Sequence, residues 1–232
     1  MRLQLTICLL AAFSAGASTL DDINAALRPL EGKQPIRATF GVQQQVKSAG
    51  RYANDTITRT AAADIAADAS GLTVTMSQAF LAQATEDEIG AIQTIPIVEA
   101  LNFRDPMTTL LKGAKVEQEK RVVFRGKAAR LLTLKLSTEP RKERNSITIG
   151  SVKSDDRMNL WIGDDNLPIA AERDRKTSAG IMFVRGTFTS EDSYTFARAG
   201  DRLVLTRLES KEGGSGMGQT VDKRSIQTVT LR

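Results

Sequence analysis

None of the 232 residues is a histidine, and the only cysteine is Cys8. Those two facts remove Ser-His-Asp and Cys-His centres, the usual zinc sites and any disulfide framework. The formal charge is +5, with both signs interspersed along the chain, which gives no case for a nucleic-acid protein and only a weak attraction to anionic surfaces.

The chain opens as a secretory signal. Met1-Arg2 is a short basic start, Leu3 to Phe13 is an apolar run too short to span a bilayer, and Ala15-Gly16-Ala17 is a small-x-small cleavage site. Cleavage after Ala17 is expected, with residues 18–232 forming a single β-rich domain and no transmembrane segment in the mature chain. That chain has one arginine fewer, 31 basic against 27 acidic residues for a net +4, and no cysteine at all. Cys8 sits inside the apolar run and not at the cleavage point, so lipid anchoring through it is not expected.

Thr19 before Leu20-Asp21-Asp22 reads as a helix cap. Leu20, Ile23, Leu27 and Leu30 recur at helical spacing until Pro29 and Gly32 end the pattern. The period then falls to two. Ile36, Ala38, Phe40, Val42 and Val46 share one face of a strand over 36–46, with Arg37, Thr39, Gln43 and Gln45 on the other. Thr56–Thr60 and Leu72–Met76 predict further strands. Ser77–Gly90 and Ile95–Gly113 predict two or three short helices, one starting at Asp105-Pro106 and stopping at Gly113.

A meander of strands follows. Lys115–Phe124 turns at Arg125-Gly126-Lys127 into Ala128–Ser137, and Glu139–Asn145 reads as a charged loop. Met158, Leu160 and Ile162 lead into the turn Gly163-Asp164-Asp165-Asn166 and then Leu167-Pro168-Ile169. Ile181–Phe188, Ser193–Ala199, Arg202–Lys211 and Asp222–Leu231 complete the series. The class is α+β, mostly antiparallel β, as a curved or half-open barrel-like sheet with an N-terminal helix and short inserted helices over its concave face.

Catalytic chemistry finds little to stand on. The carboxylate groups Asp21-Asp22, Glu86-Asp87-Glu88, Asp155-Asp156 and Asp164-Asp165 read as a helix start, an exposed helix face, a loop and a hairpin turn. They lack the order of an EF-hand calcium loop. Gly213-Gly214-Ser215-Gly216-Met217-Gly218 lacks the Lys-Ser or Lys-Thr of a phosphate loop and reads as a flexible hairpin or edge loop, with a mobile lid as the functional alternative. Arg141-Lys142-Glu143-Arg144 reads as a solvated loop. Trp161 falls on the opposite side of its strand from Leu160 and Ile162, with packing under the helices expected ahead of a ligand contact. No catalytic residue, metal or cofactor is expected.

The order of elements and the hairpin from Leu160-Trp161-Ile162 to Leu167-Pro168-Ile169 resemble the LolA-like group of periplasmic lipoprotein carriers and relatives such as the RseB sensor. Gly200-Asp201-Arg202-Leu203-Val204 and Gly214–Gly218 look like segments of secreted bacterial proteins near that group. The Arg-Pro and aromatic segment of true carriers has no counterpart here, and no binding residue is carried over. The resemblance implies a periplasmic half-barrel that binds a lipid, an acyl chain or a lipidated protein without catalysis. The lining expected from the residues themselves is Phe40, Val42, Leu72, Val74, Leu132, Leu134, Leu160 and Ile162. Periodicity alone equally allows a filled core, and with it a second reading as an envelope interaction or sensor module that recognises a protein partner.

Overall fold

The computed structural model describes residues 16–50, 54–137, 151–181, 184–216 and 219–232. Helix α1 (Gly16–Leu27) precedes strands β1 (Ile36–Gly50), β2 (Asn54–Asp68) and β3 (Gly71–Thr75). Four short helices follow, α2 (Gln78–Leu81), α3 (Glu86–Gly90), α4 (Thr94–Leu101) and α5 (Arg104–Leu111). Then come β4 (Lys115–Phe124), β5 (Lys127–Lys135), β6 (Ser151–Ile162), β7 (Pro168–Ile181), β8 (Val184–Ala199), β9 (Arg202–Gly216) and β10 (Gln219–Leu231).

All ten strands form one antiparallel sheet in the order β3-β2-β1-β10-β9-β8-β7-β6-β5-β4. The sheet is curved and open, so the expected α+β half-barrel class holds. Because β3 and β4 are the two edges, the segment joining them must cross the whole sheet, and α2–α5 do so. α3 packs on β2, α4 on β9, and α1 lies beside β4 and α5.

Strand alternation sets which face the helices cover. Phe40 pairs in register with Ala63 on one side and Val229 on the other, and Leu132 pairs with Leu160, which pairs with Ala171. These residues meet Ile23, Leu27 and Leu30 from and just after α1, Ile97 and Leu101 of α4, and Met107 and Leu111 of α5 in one buried cluster. Spacings of three and four put each helix's apolar residues on one side. Phe103 between α4 and α5 pins the helices to the sheet. Its N–H donates to Leu203 O at 2.7 Å, and its ring lies 5.9 Å from Tyr194 and 5.2 Å from Phe196. No helix among the described residues is long and apolar enough to cross a membrane.

Several turns match their residue chemistry. Arg125 (φ 51°) and Gly126 (φ 80°) are both left-handed, as a two-residue hairpin turn between right-twisted strands requires. Gly113, at φ 73°, ends α5, and Pro106 sits in that helix's first turn, where its missing N–H is harmless.

Other expectations are corrected. Thr19 is not a cap: it lies inside α1, and its hydroxyl instead donates to Glu119 Oε2 of β4 at 2.8 Å. The helices between the strand groups number four. β2 runs well past Thr60, because Ala61, Ala63 and Ile65 continue the buried face. The strand expected over 181–188 contains a hairpin instead, since β7 ends at Ile181 and β8 starts at Val184. Gly213–Gly216 is strand, paired with both β8 and β10, and ends in the expected hairpin, where Gly216 pairs with Gln219; Met217 and Gly218 lie outside the described residues. Residues 1–15 of the expected signal and the loop 139–145 lie outside the described residues.

Candidate functional site

The eight expected lining residues all face the concave side, but they do not enclose one pocket. Six of them (Phe40, Val42, Leu132, Leu134, Leu160 and Ile162) are buried in the common core, and Leu72 and Val74 pack half-buried against it. β3 and β5 lie eight strand positions apart. At about 4.8 Å per strand that is roughly 38 Å along the sheet. Leu132, Leu134, Leu160 and Ile162 have no accessible surface, and α1, α4 and α5 fill the space above them.

Phe40 and Val42 also border an opening. A cleft of about 400 Å³ separates β1, β2 and β10 from α3 and α4, with Gln44, Arg59, Asp87 and Pro96 among its walls. Its helical wall is held by two devices. Thr85 and Glu88 form a reciprocal cap on α3, in which the Thr85 N–H donates to Glu88 Oε2 at 2.9 Å and the Glu88 N–H to Thr85 Oγ1 at 3.3 Å. The Thr85 N–H first, and then the Thr85 hydroxyl, which donates to Glu88 Oε2 at 3.1 Å, hold the Glu88 carboxyl below its ordinary value. Next to it, Asp87 pairs with Arg59 Nη2 of β2 at 2.8 Å, tying α3 to the sheet. Arg59 Nη1 donates to Gln44 at 3.3 Å, while its buried Nε has no partner among the described residues.

Beyond the helices the strands project as a wing that no described helix covers. Register continues the concave face from Ile57 through Val46, Lys223, Glu212, Ser190 and Arg175 to Asp156. The next row outward carries Val221, Gly214 and Phe188. Ile57 (42% exposed), Val221 (43%) and Phe188 (37%) therefore lie on one concave surface, three of the few large apolar side chains left open to solvent. The Arg175 guanidinium sits 5.7 Å above the Phe188 ring, and its buried Nε has no hydrogen-bond partner among the described residues.

A polar network separates core from wing. Arg173 grips buried Asp156 with two hydrogen bonds, Nε to Oδ1 at 2.9 Å and Nη2 to Oδ2 at 2.6 Å. The pair raises the Arg173 pKa, chiefly through that hydrogen bond. Asp192 accepts from Ser210, Ser190 and Tyr194. Burial, with the nearby Asp192 charge, pushes the Tyr194 phenol up to about 12. Sequence reading missed this network by placing Asp155-Asp156 in a loop. Stepping back by twos from Ile162 through Leu160 and Met158 reaches Asp156, so the alternation already put it on the buried face.

Trp161 is on the face away from the helices, not under them, with its ring 5.2 Å from Phe124. Asp164 and Asp165 do sit in a turn, where Asp165 accepts the Leu167 N–H at 3.1 Å. Among the described residues no group of three acidic, His or Cys side chains is placed to hold a metal ion. The residues 141–144 lie outside the described set.

No family model matches the chain, and no curated protein does. Among solved structures, the crystal structure of MucB in complex with MucA(peri) aligns over 90% of this chain and 93% of that one. The identity is 9% and the TM-score 0.20, a likeness that carries no argument.

Proposed function

We propose that this chain is a non-catalytic binding module of the bacterial envelope. In this reading it takes a hydrophobic ligand on the wing of its concave face, with the cleft beside Phe40 and Val42 as the inner end. The observation that carries the reading is the convergence of exposed Ile57, Val221 and Phe188 on one concave surface contiguous with that cleft. Arg175 over Phe188 suits an acidic head group, as on a fatty acid.

Magnitudes decide how much of the surface is needed. Each methylene removed from water contributes about 0.8 kcal/mol, so about six on the wing give roughly 5 kcal/mol. Micromolar binding needs roughly 8 kcal/mol, so wing and cleft must act together. The packed leucines of β5 and β6 are not required to open.

The test is native mass spectrometry of the chain from Ser18, purified from a bacterial periplasm without detergent, with solvent extraction and fluorescent fatty-acid uptake. An extractable acyl adduct, lost in a Phe188→Glu/Val221→Glu double variant, supports the reading. A clean apo mass with no fatty-acid uptake sinks it. Uptake unchanged in the double variant moves the site away from the wing.

The alternative, a module that recognises a protein partner, is favoured by a separate feature, the free edge of β4.

A further inference from the structure

β4 is one of the two open edges of the sheet and is twice as long as the other, ten residues against five in β3. A free edge presents unpaired backbone N–H and C=O groups to any extended chain that can approach. A register break between Val116 and Gln118 leaves a regular ladder over Gln118–Phe124. Within it Val123 is 76% exposed, the most exposed large apolar side chain among the described residues. On the opposite face, the Phe124 ring packs at a tilt against Trp161, with Arg125 5.2 Å from the Phe124 ring.

The charge along this edge is one-sided. Between 112 and 127 the chain carries Lys112, Lys115, Lys120, Arg121, Arg125 and Lys127 against only Glu117 and Glu119. Glu119 is already committed, accepting from Arg130 at 3.2 Å and from Thr19 at 2.8 Å. Lys115, Lys120, Arg121 and Lys127 make no ion pair among the described residues. Positive side chains on an edge strand normally deter pairing. They do so against neutral or basic strands, and they attract an acidic one. A second copy of β4 would bring the same lysines and arginines face to face, which disfavours self-pairing.

We propose that the β4 edge docks an acidic, extended segment of a different protein, which adds to the sheet as a further strand beside Gln118–Phe124. Backbone ladder bonds hold it, its apolar residues cover Val123 on one face, and its carboxylates meet Lys120 on the other. Val123 is on the concave side of the edge strand, but apart from both the wing and the cleft.

The probes are three synthetic peptides of β4's length, one alternating Val and Glu, one alternating Val and Lys, and the Val-Glu peptide N-methylated at alternate backbone nitrogens. Fluorescence of Trp161, the only tryptophan in the chain, reports binding. The Val-Glu peptide is expected to bind at least about tenfold more tightly than Val-Lys, and to weaken as salt rises because these charges are exposed. N-methylation is expected to abolish binding. A Lys120→Glu/Arg121→Glu variant, with its fold checked by circular dichroism, is expected to reverse the preference between the two peptides. Equal binding of the acidic and basic peptides, retained binding after N-methylation, or no binding of the Val-Glu peptide overturns the proposal. Concentration-dependent self-association that Val123→Asp removes overturns it as well, assigning the edge to a second copy.

Discussion

At the scale of single residues, the most consequential side chains are polar ones on the apolar face. Asp156 is buried and its carboxylate is satisfied by Arg173, so removing either partner strands the other's charge. Asp156→Ala is expected to cost on the order of 3 kcal/mol, measured by urea unfolding, with Arg173's partial exposure keeping the loss below the deeply buried limit. Tyr194 supplies a pH signature. Its pKa rises from 10.0 in the reference state to about 12 when folded, because burial and the Asp192 charge penalise the phenolate. A raised value means that the neutral form stabilises the fold. That contribution is complete below pH 10 and is lost as pH climbs towards 12, a swing on the order of 2 kcal/mol. Ultraviolet titration should show one of the chain's two tyrosines ionising only near 12, a step absent in Tyr194→Phe. A normal titration of both would refute the assignment.

Secondary-structure elements differ in how openly their residues declare them. Leu132, Leu134, Leu160 and Ile162 alternate with polar neighbours, so a half-buried strand is legible from period alone. The second half of β2 is built on Ala61, Ala63, Ala66 and Ala67, and alanine favours no strand, so the signal fades although pairing continues. β8 hides its centre for another reason. Thr189, Ser190, Glu191 and Asp192 are polar on both faces, because the concave side there carries a hydrogen-bond network instead of a core. The candidate site was half visible for the same reasons. Phe40 and Val42 stand out in β1, whereas the cleft's helical wall depends on where Asp87 meets Arg59, a contact 28 residues apart in sequence.

Element-level predictions centre on that wall. Thr85→Ala removes one half of the reciprocal cap on a helix of only five residues. A loss of about 1 kcal/mol is expected. Hydrogen exchange should quicken in α3 while the β5–β6 ladder stays protected. If exchange changes equally in both, the cap supports the whole fold and the cleft wall has no local stability of its own. Leu160→Ala belongs to the opposite category. It empties a site with no exposed surface, and a global loss of roughly 2–5 kcal/mol is expected, read as a lower urea midpoint with unchanged slope.

For the molecule as a whole, the sheet order matters more than any one strand. Eight of the nine strand junctions join strands consecutive in sequence, and the exception is the junction of β1 with β10. That junction is extensive, running from Ala38↔Leu231 to Gly50↔Gln219. It is supported nearby by the Arg232 N–H donating to Arg37 O at 3.0 Å. Pairings this remote in sequence slow folding, because loop closure must be met before the contacts form. Deleting 219–232 is expected to abolish cooperative unfolding altogether, since it would split the sheet into two blocks joined only by the crossing helices.

The place of β10 in the middle of the sheet also sets a schedule. Until that strand has been synthesised, β1 and β9 are both raw edges, and the apolar faces they carry have no continuous floor beneath the helices. A chain built this way has no finished intermediate to settle into while it is still emerging. It remains unfolded and sticky until β10 arrives, a period in which its protection must come from whatever escorts it.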